Sequence, residues 1–449
     1  MSSKLFTMLF LLFSLSTYAG DTNEEQSIKL YHKQFFISSA IYAKLHINEK
    51  ERISQQFASF LEELVSHVST EIFYNLSIND LLKVNAPSFH LIAGKKMIEM
   101  GDPINANKYL AKIPLTHKYK AEALLYSGVG LTLLEKEKEA DSIFFDCVVV
   151  ADDFQRKEKQ QLSKRYYQVL KDRCNINRAR VQYQLGHYQN AIEHYHQIDK
   201  RSFLWPYTLS ELAWSYLKKG DANRALGLSV TYKAPLLESY FTPEAELITA
   251  LAYKEKCLWN DAEIVIQNYY NKVKPQSDRI LSMIGKLNLS DSVFNEIRAR
   301  KNLEKDPLIR SIATQLSKKT KYNFAIILQE KIIKEIKQIE QNKDYKTVKA
   351  QIEKQKNQNL LNINRMIKES LTEYLNKINK VSLELFNISI EILADQRDVE
   401  YTGKTINNRA RGSYKNVPVS QKEYFYSFDG AFWADELGDY SFGLASNCK

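Results

Sequence analysis

Proline and glycine are scarce in this 449-residue chain, at 9 and 14 residues. From Lys286 to Thr402 there is no glycine, and from Leu308 to Val417 no proline. Folds made of many short strands need those residues at their turns. The scarcity therefore points to helices, and to long ones beyond Pro275. Cysteine is rarer still: Cys147, Cys174, Cys257 and Cys448, with no Cys-x-x-Cys pair to hold zinc or run a dithiol couple. Four so widely spaced are too few for a disulfide framework. Cys147 and Cys174 flank one insertion and are candidates to pair, but Cys147 also reads as a small apolar residue on a helix, and the spacing leaves connectivity open.

Catalytic signatures are missing as well. There is no Gly-x-Ser-x-Gly elbow, no phosphate-cradling glycine loop and no His-Glu-x-x-His helix. His187, His194 and His196 fall close together, yet His194 and His196 are two apart on a helix and point to different faces, which argues against a metal site. Asp152 and Asp153 read as helix-end residues. Asp435 and Glu436 would need a cleft to act as paired carboxylates. The expectation is a protein that is not an enzyme and uses no cofactor or metal.

What is present is a folding chain, 44% hydrophobic and 26% charged. It opens with MSSKLFTMLFLLFSLSTYA, a basic start, an apolar run from Leu5 to Leu15 and small residues at Thr17 and Ala19. This reads as a secretory signal over residues 1–19, too short for a stable anchor, so a soluble, exported and periplasmic protein is expected. Formal charge is +10, and between Asp291 and Arg411 there are 24 basic and 16 acidic residues. Such an excess solvates a helix face, or meets cell-wall polymers or acidic lipids; for an exported protein it does not suggest nucleic acid.

The middle of the chain repeats. NINRARVQYQLGHYQNAIEHYHQI (175–198) and SELAWSYLKKGDANRALGLSVTY (210–232) are offset by 34 residues. A small residue stands at Gly94, Gly128, Ala179, Ala213 and Ala250, and another twelve later at Ala106, Ala140, Ala191, Ala225 and Ala262. Small side chains at both places let two helices touch. Four beyond the second site come Leu110, Phe144, Tyr195, Ser229 and Ile266, and seven beyond it Ile113, Cys147, Ile198, Tyr232 and Tyr269. Ser229 departs from the bulky pattern and puts close packing there in doubt. One offset of 51 leaves about 17 extra residues near Asp153–Leu170, expected to lengthen two facing helices.

These residues and spacings resemble the tetratricopeptide repeat (TPR), which implies an all-α helical solenoid. The resemblance also implies that the first helix of each repeat lines a groove for an extended peptide or partner helix. Carried onto this sequence, it places Lys95, Arg180, Tyr183, Trp214 and Lys254 as partner contacts, although Tyr183 and Trp214 read equally well as buried between repeats. The implied partners are other proteins of the cell envelope. The phrase FDGAFWADELGDYSF in the tail is similar to the C-terminal ends of exported TPR proteins of gliding and predatory bacteria.

The expected organisation is a signal at 1–19, a helical segment at 20–86 covering the repeat end, five TPR-like repeats at 87–276, long helices at 277–405 and an aromatic tail at 406–449. Leu371, Tyr374, Ile378, Val381, Leu385, Ile388 and Ile392 step as a heptad seam, and Ile332 to Ile352 form a looser stripe, with a polar run from Glu353 to Asn359 between them. An antiparallel hairpin is the first expectation, and a homo-oligomer through Leu371–Ile392 the second. The tail, with Tyr424, Phe425, Tyr426, Phe428, Phe432, Trp433, Tyr440 and Phe442, is expected to cap that hairpin or to form a partner patch.

Overall fold

The computed structural model describes residues 22–240, 242–285, 297–298, 307–341, 345–402, 427–428 and 430–448. The expected signal at 1–19, with Thr17 and Ala19, and Tyr424, Phe425 and Tyr426 lie outside the described residues. Among those described, all regular structure is helical. In chain order the helices are α1 Asn23–His32, α2 Phe36–Glu49, α3 Gln55–Val68, α4 Ile78–Leu82, α5 Pro87–Glu99, α6 Pro103–Ala111, α7 Lys120–Leu133, α8 Glu137–Lys157 and α9 Gln161–Gln184. They continue as α10 Tyr188–His196, α11 Trp205–Lys218, α12 Ala222–Thr231, α13 Pro243–Glu255, α14 Trp259–Lys272, α15 Gln276–Gly285, α16 Pro307–Leu316, α17 Thr320–Glu340 and α18 Lys346–Thr402. Among the described residues no helix is long and apolar enough to cross a membrane.

The chain divides into two compact units. The first joins the residues up to Ala93 with Glu330–Asn357. In it, α1 begins with a capping box between Thr22 and Glu25. Helix α3 buries Phe57, Leu61, Leu64 and Val68, the face its periodicity marks. Helix α2 lacks a side-chain cap of its own. Its orphan amides at Ile37 and Ser38 instead donate to the Glu335 carboxylate of α17, at 3.0 and 2.7 Å. An anion is favoured at that helix end, although burial raises the Glu335 carboxyl above its ordinary range.

The second unit, Gly94–Gln329 with Gln358–Lys449, contains the repeating helices. Helices α5–α14 pair as α5/α6, α7/α8, α9/α10, α11/α12 and α13/α14, and each pair packs on the next. The crossings explain the small residues. A Cβ at Gly94 would collide with the Leu110 side chain, and one at Gly128 with the Phe144 ring. Ala106, Ala140, Ala179, Ala191, Ala213, Ala225, Ala250 and Ala262 are all buried. Ser229 is buried too, so α12 packs closely without a bulky group there. The extra 17 residues extend α8 and α9, which a Cys147–Cys174 disulfide ties together.

Each pair turns in the same way. Seven residues after the first small position the backbone is left-handed, at Gly101, Glu135, Gly186, Gly220 and Cys257, with φ of 78°, 55°, 77°, 87° and 53°. The next amide reaches back five residues: Asp102 to Met97, Lys136 to Leu131, His187 to Gln182, Asp221 to Tyr216 and Leu258 to Tyr253, all at 2.9–3.0 Å. This is the Schellman ending of a helix, which satisfies carbonyls that would otherwise lack partners.

Helices α17 and α18 run antiparallel at their start, where the Asn359 side-chain amide donates to Ala325 O and Gln329 Oε1, both at 2.8 Å. The polar run Glu353–Asn359 does not interrupt the structure; α18 passes through it as one helix of 57 residues. The Leu371–Ile392 seam faces inward, and its core also takes in Tyr322 and Ala325 of α17. All seven residues are buried in a core with Trp259, Ile266 and Tyr269 of α14 and Leu308 and Ile312 of α16. Tyr269 and Tyr270 hydroxyls donate to the Ile378 and Ser382 carbonyls at 2.6 and 2.7 Å. A helix face already packed inside its own chain is unavailable to a second copy unless α18 first undocks from α14.

Candidate binding surface

The five residues expected to contact a partner fall into two groups. Lys95 of α5 is buried, 3.3 Å from the Glu122 carboxylate of α7 and over the Tyr126 ring at 5.4 Å. Lys254 of α13 pairs with Glu391 of α18. These two cations have carboxylate partners within the chain.

The other three lie near one another on α9 and α11. Arg180 holds Glu211 through two hydrogen bonds of 2.8 and 2.7 Å, and its side chain stays 52% exposed. Glu211 also accepts from Tyr195 Oη at 2.8 Å, and these bonds hold the Arg180 guanidinium above its ordinary pKa. Half-buried Tyr183 meets Tyr188 edge-on at 5.3 Å. Trp214 packs against both neighbouring cores, so it is largely structural.

Much of the lysine and arginine beyond Asp291 also finds carboxylates and rings within the chain. Arg310 pairs with Glu238 at 3.0 Å and Lys319 with Glu373 at 2.6 Å, while Lys321 meets Glu99. Lys318 donates to Tyr240 Oη at 2.9 Å and lies over the Phe203 and Tyr240 rings. Arg173 of α9 donates to Thr320 at 2.8 Å. The corner between α16 and α17 thus touches α5, α9 and the loops after α10 and α12. Composition alone could not show that these charges answer one another.

Of the tail, the described residues 430–448 pack along α11, α12 and the α13–α14 turn and not on the α17–α18 hairpin. Phe442 N donates to Asn223 O at 3.0 Å, and the Asn223 side chain clamps Leu444, accepting from its N and donating to its O, both at 3.2 Å. Asn447 N donates to Lys256 O at 2.8 Å, and Lys200 donates to the Asp435 carbonyl at 2.7 Å. Leu437 is buried among Trp205, Leu209 and their neighbours. Helix glycine Gly227 lies directly beneath the Tyr440 carbonyl, where no side chain could fit. A Cys257–Cys448 disulfide closes the end. The sequence offered one signal for this contact, a glycine inside a helix.

Asp435 and Glu436 are exposed. Asp152 pairs with Arg156 and Lys171, and Asp153 with Lys157. His196 Nε2 lies 3.0 Å from Tyr216 Oη, and burial lowers the His194 pKa. His187 lines a shallow, open depression with Gly186, Tyr188, Gln189, Asn190 and Lys219. Among the described residues no three His, Cys, Asp or Glu side chains are grouped to hold a metal ion. Compared with known proteins, the chain matches no family model and no curated sequence.

Proposed function

We propose that this chain is an exported, non-catalytic scaffold, a TPR-type helical solenoid that holds other proteins within an envelope-associated assembly of the motility, secretion or predation kind. The single observation that carries this reading is the left-handed turn at one position in all five helix pairs. Such a recurrence supports a stack of like units, and stacks of helix pairs work by presenting an extended surface. On this reading the first helices line the groove, the chain's own α16–α18 fill part of it, and the α9–α11 stretch around Arg180 and Tyr183 receives the partner. Arg180 suits a carboxylate on an extended peptide or helix, with Glu211 released as it binds. Tyr183 supplies flat apolar area.

Crosslinking in the native envelope, followed by identification of neighbours, tests this. Arg180→Glu and Tyr183→Ala should both lose the same neighbours while leaving the melting temperature within a few degrees. Retention of those neighbours in both variants would place the binding face elsewhere. Trp214→Ala is the poorer probe, because Trp214 belongs to two cores.

A further inference from the structure

Helix α18 carries a second apolar stripe that the buried seam does not use. Leu383, Phe386, Ile390 and Leu393 are 61%, 53%, 50% and 61% exposed. Their spacing of three, four and three keeps them in line, roughly 140° around the helix from the seam at 3.6 residues per turn. The stripe is roughly 15 Å long at the helical rise. Contiguous apolar surface of this kind on a folded protein marks an interaction site.

We infer that the stripe pairs with the same stripe of a second copy, in antiparallel orientation. The residue order is self-complementary about Ile388. Reversed against itself, it sets Leu383 opposite Leu393 and Phe386 opposite Ile390. The edges beside it, Ser382, Asn387, Ser389 and Ala394, carry no charge, so close approach desolvates no ion. On the stripe's own line, Asn379 and Arg397 end the apolar run. Antiparallel pairing places Asn379 against Arg397 of the other copy, amide to guanidinium. Parallel pairing would set Arg397 against Arg397 and repel. The contact is smaller than the roughly 800 Å² per partner of a standard interface, so the dimer is a reversible one. It uses a surface separate from Arg180 and Tyr183, and the two readings stand or fall independently.

Sedimentation velocity on the full exported chain from about 0.5 to 100 µM tests this. The expected result is a concentration-dependent shift from monomer to dimer. Phe386→Glu with Ile390→Glu should keep the chain monomeric throughout, with unchanged helical circular dichroism. Each change occurs twice in a two-fold pair, so the dissociation constant should rise by at least about a hundredfold. With all four cysteines in disulfides, engineered thiols report orientation. Asn387→Cys, beside the centre, should crosslink to its own counterpart on oxidation, whereas Asp398→Cys should not. Wild-type chain that stays monomeric at 100 µM overturns the proposal and gives the stripe to another occupant, such as a different protein's helix or another segment of this chain. Dimer that survives in the double variant, or crosslinking at position 398, overturns it equally.

Discussion

Lys44 is buried with Gln355 Oε1 as its hydrogen-bond partner at 3.0 Å, and desolvation pulls its pKa from 10.5 to about 8. Between those two values the unfolded chain binds the extra proton, so this group's penalty on stability is full below pH 8 and vanishes above pH 10.5. The shift corresponds to about 3 kcal/mol. Lys44→Met should therefore stabilise the first unit at pH 7 by about 1–3 kcal/mol. In denaturant titrations that advantage over wild type should shrink steadily as pH rises from 8 to 10.5. Gly227→Ala makes an opposite kind of test. Alanine favours a helix over glycine by about 1 kcal/mol, yet here the added methyl would strike the Tyr440 carbonyl. The variant should keep α12 and lose the strap, seen as rapid proteolysis within residues 430–448. Beyond the helix glycine at 227, none of this was readable from residue identity. Lys44, Gly227 and Asn223 take their roles from groups more than 200 positions distant in sequence.

At the level of helices, the paired small residues were legible because helix contact constrains side-chain volume at fixed spacing. The turn was half legible: Gly186 and Gly220 announce it, but Glu135 and Cys257 hold the same left-handed backbone under other names. The heptad on α18 was legible as a face. Its partner was not, since a seam looks alike whether it meets a second long helix or α14. The second stripe went unread because one helix was assigned one apolar side. Two predictions follow from the crossings. Gly128→Val should cost about 2–3 kcal/mol through overpacking against Phe144, measurable by chemical denaturation. Removing the Cys147–Cys174 bond by a double serine substitution frees a loop of 27 residues in the unfolded chain, and should cost about 3–4 kcal/mol.

For the molecule as a whole, the net charge of +10 suggested acidic partners; that figure already counts every carboxylate of the chain, so the pairs of Lys321, Arg310 and Lys319 with Glu99, Glu238 and Glu373 neutralise those cations locally and leave the whole excess in place. Which of the candidate contact cations were already paired could not be read from sequence, because spacing assigns a face and not what lies against it. Strap closure also acts at this scale. With Cys448→Ser, hydrogen exchange at the Phe442, Leu444 and Asn447 amides should accelerate at least tenfold, while the α11 and α12 amides keep their protection.

The two disulfides differ in reach, 27 residues against 191. During synthesis Cys147 and Cys174 emerge close together and can join early, and once the bond is buried in the fold the Cys257 thiol cannot reach it for exchange. Cys257 must then wait as a lone thiol while 191 further residues appear. Only when Cys448 arrives is that thiol taken up, so the second bond closes solely in a chain carried through to residue 448.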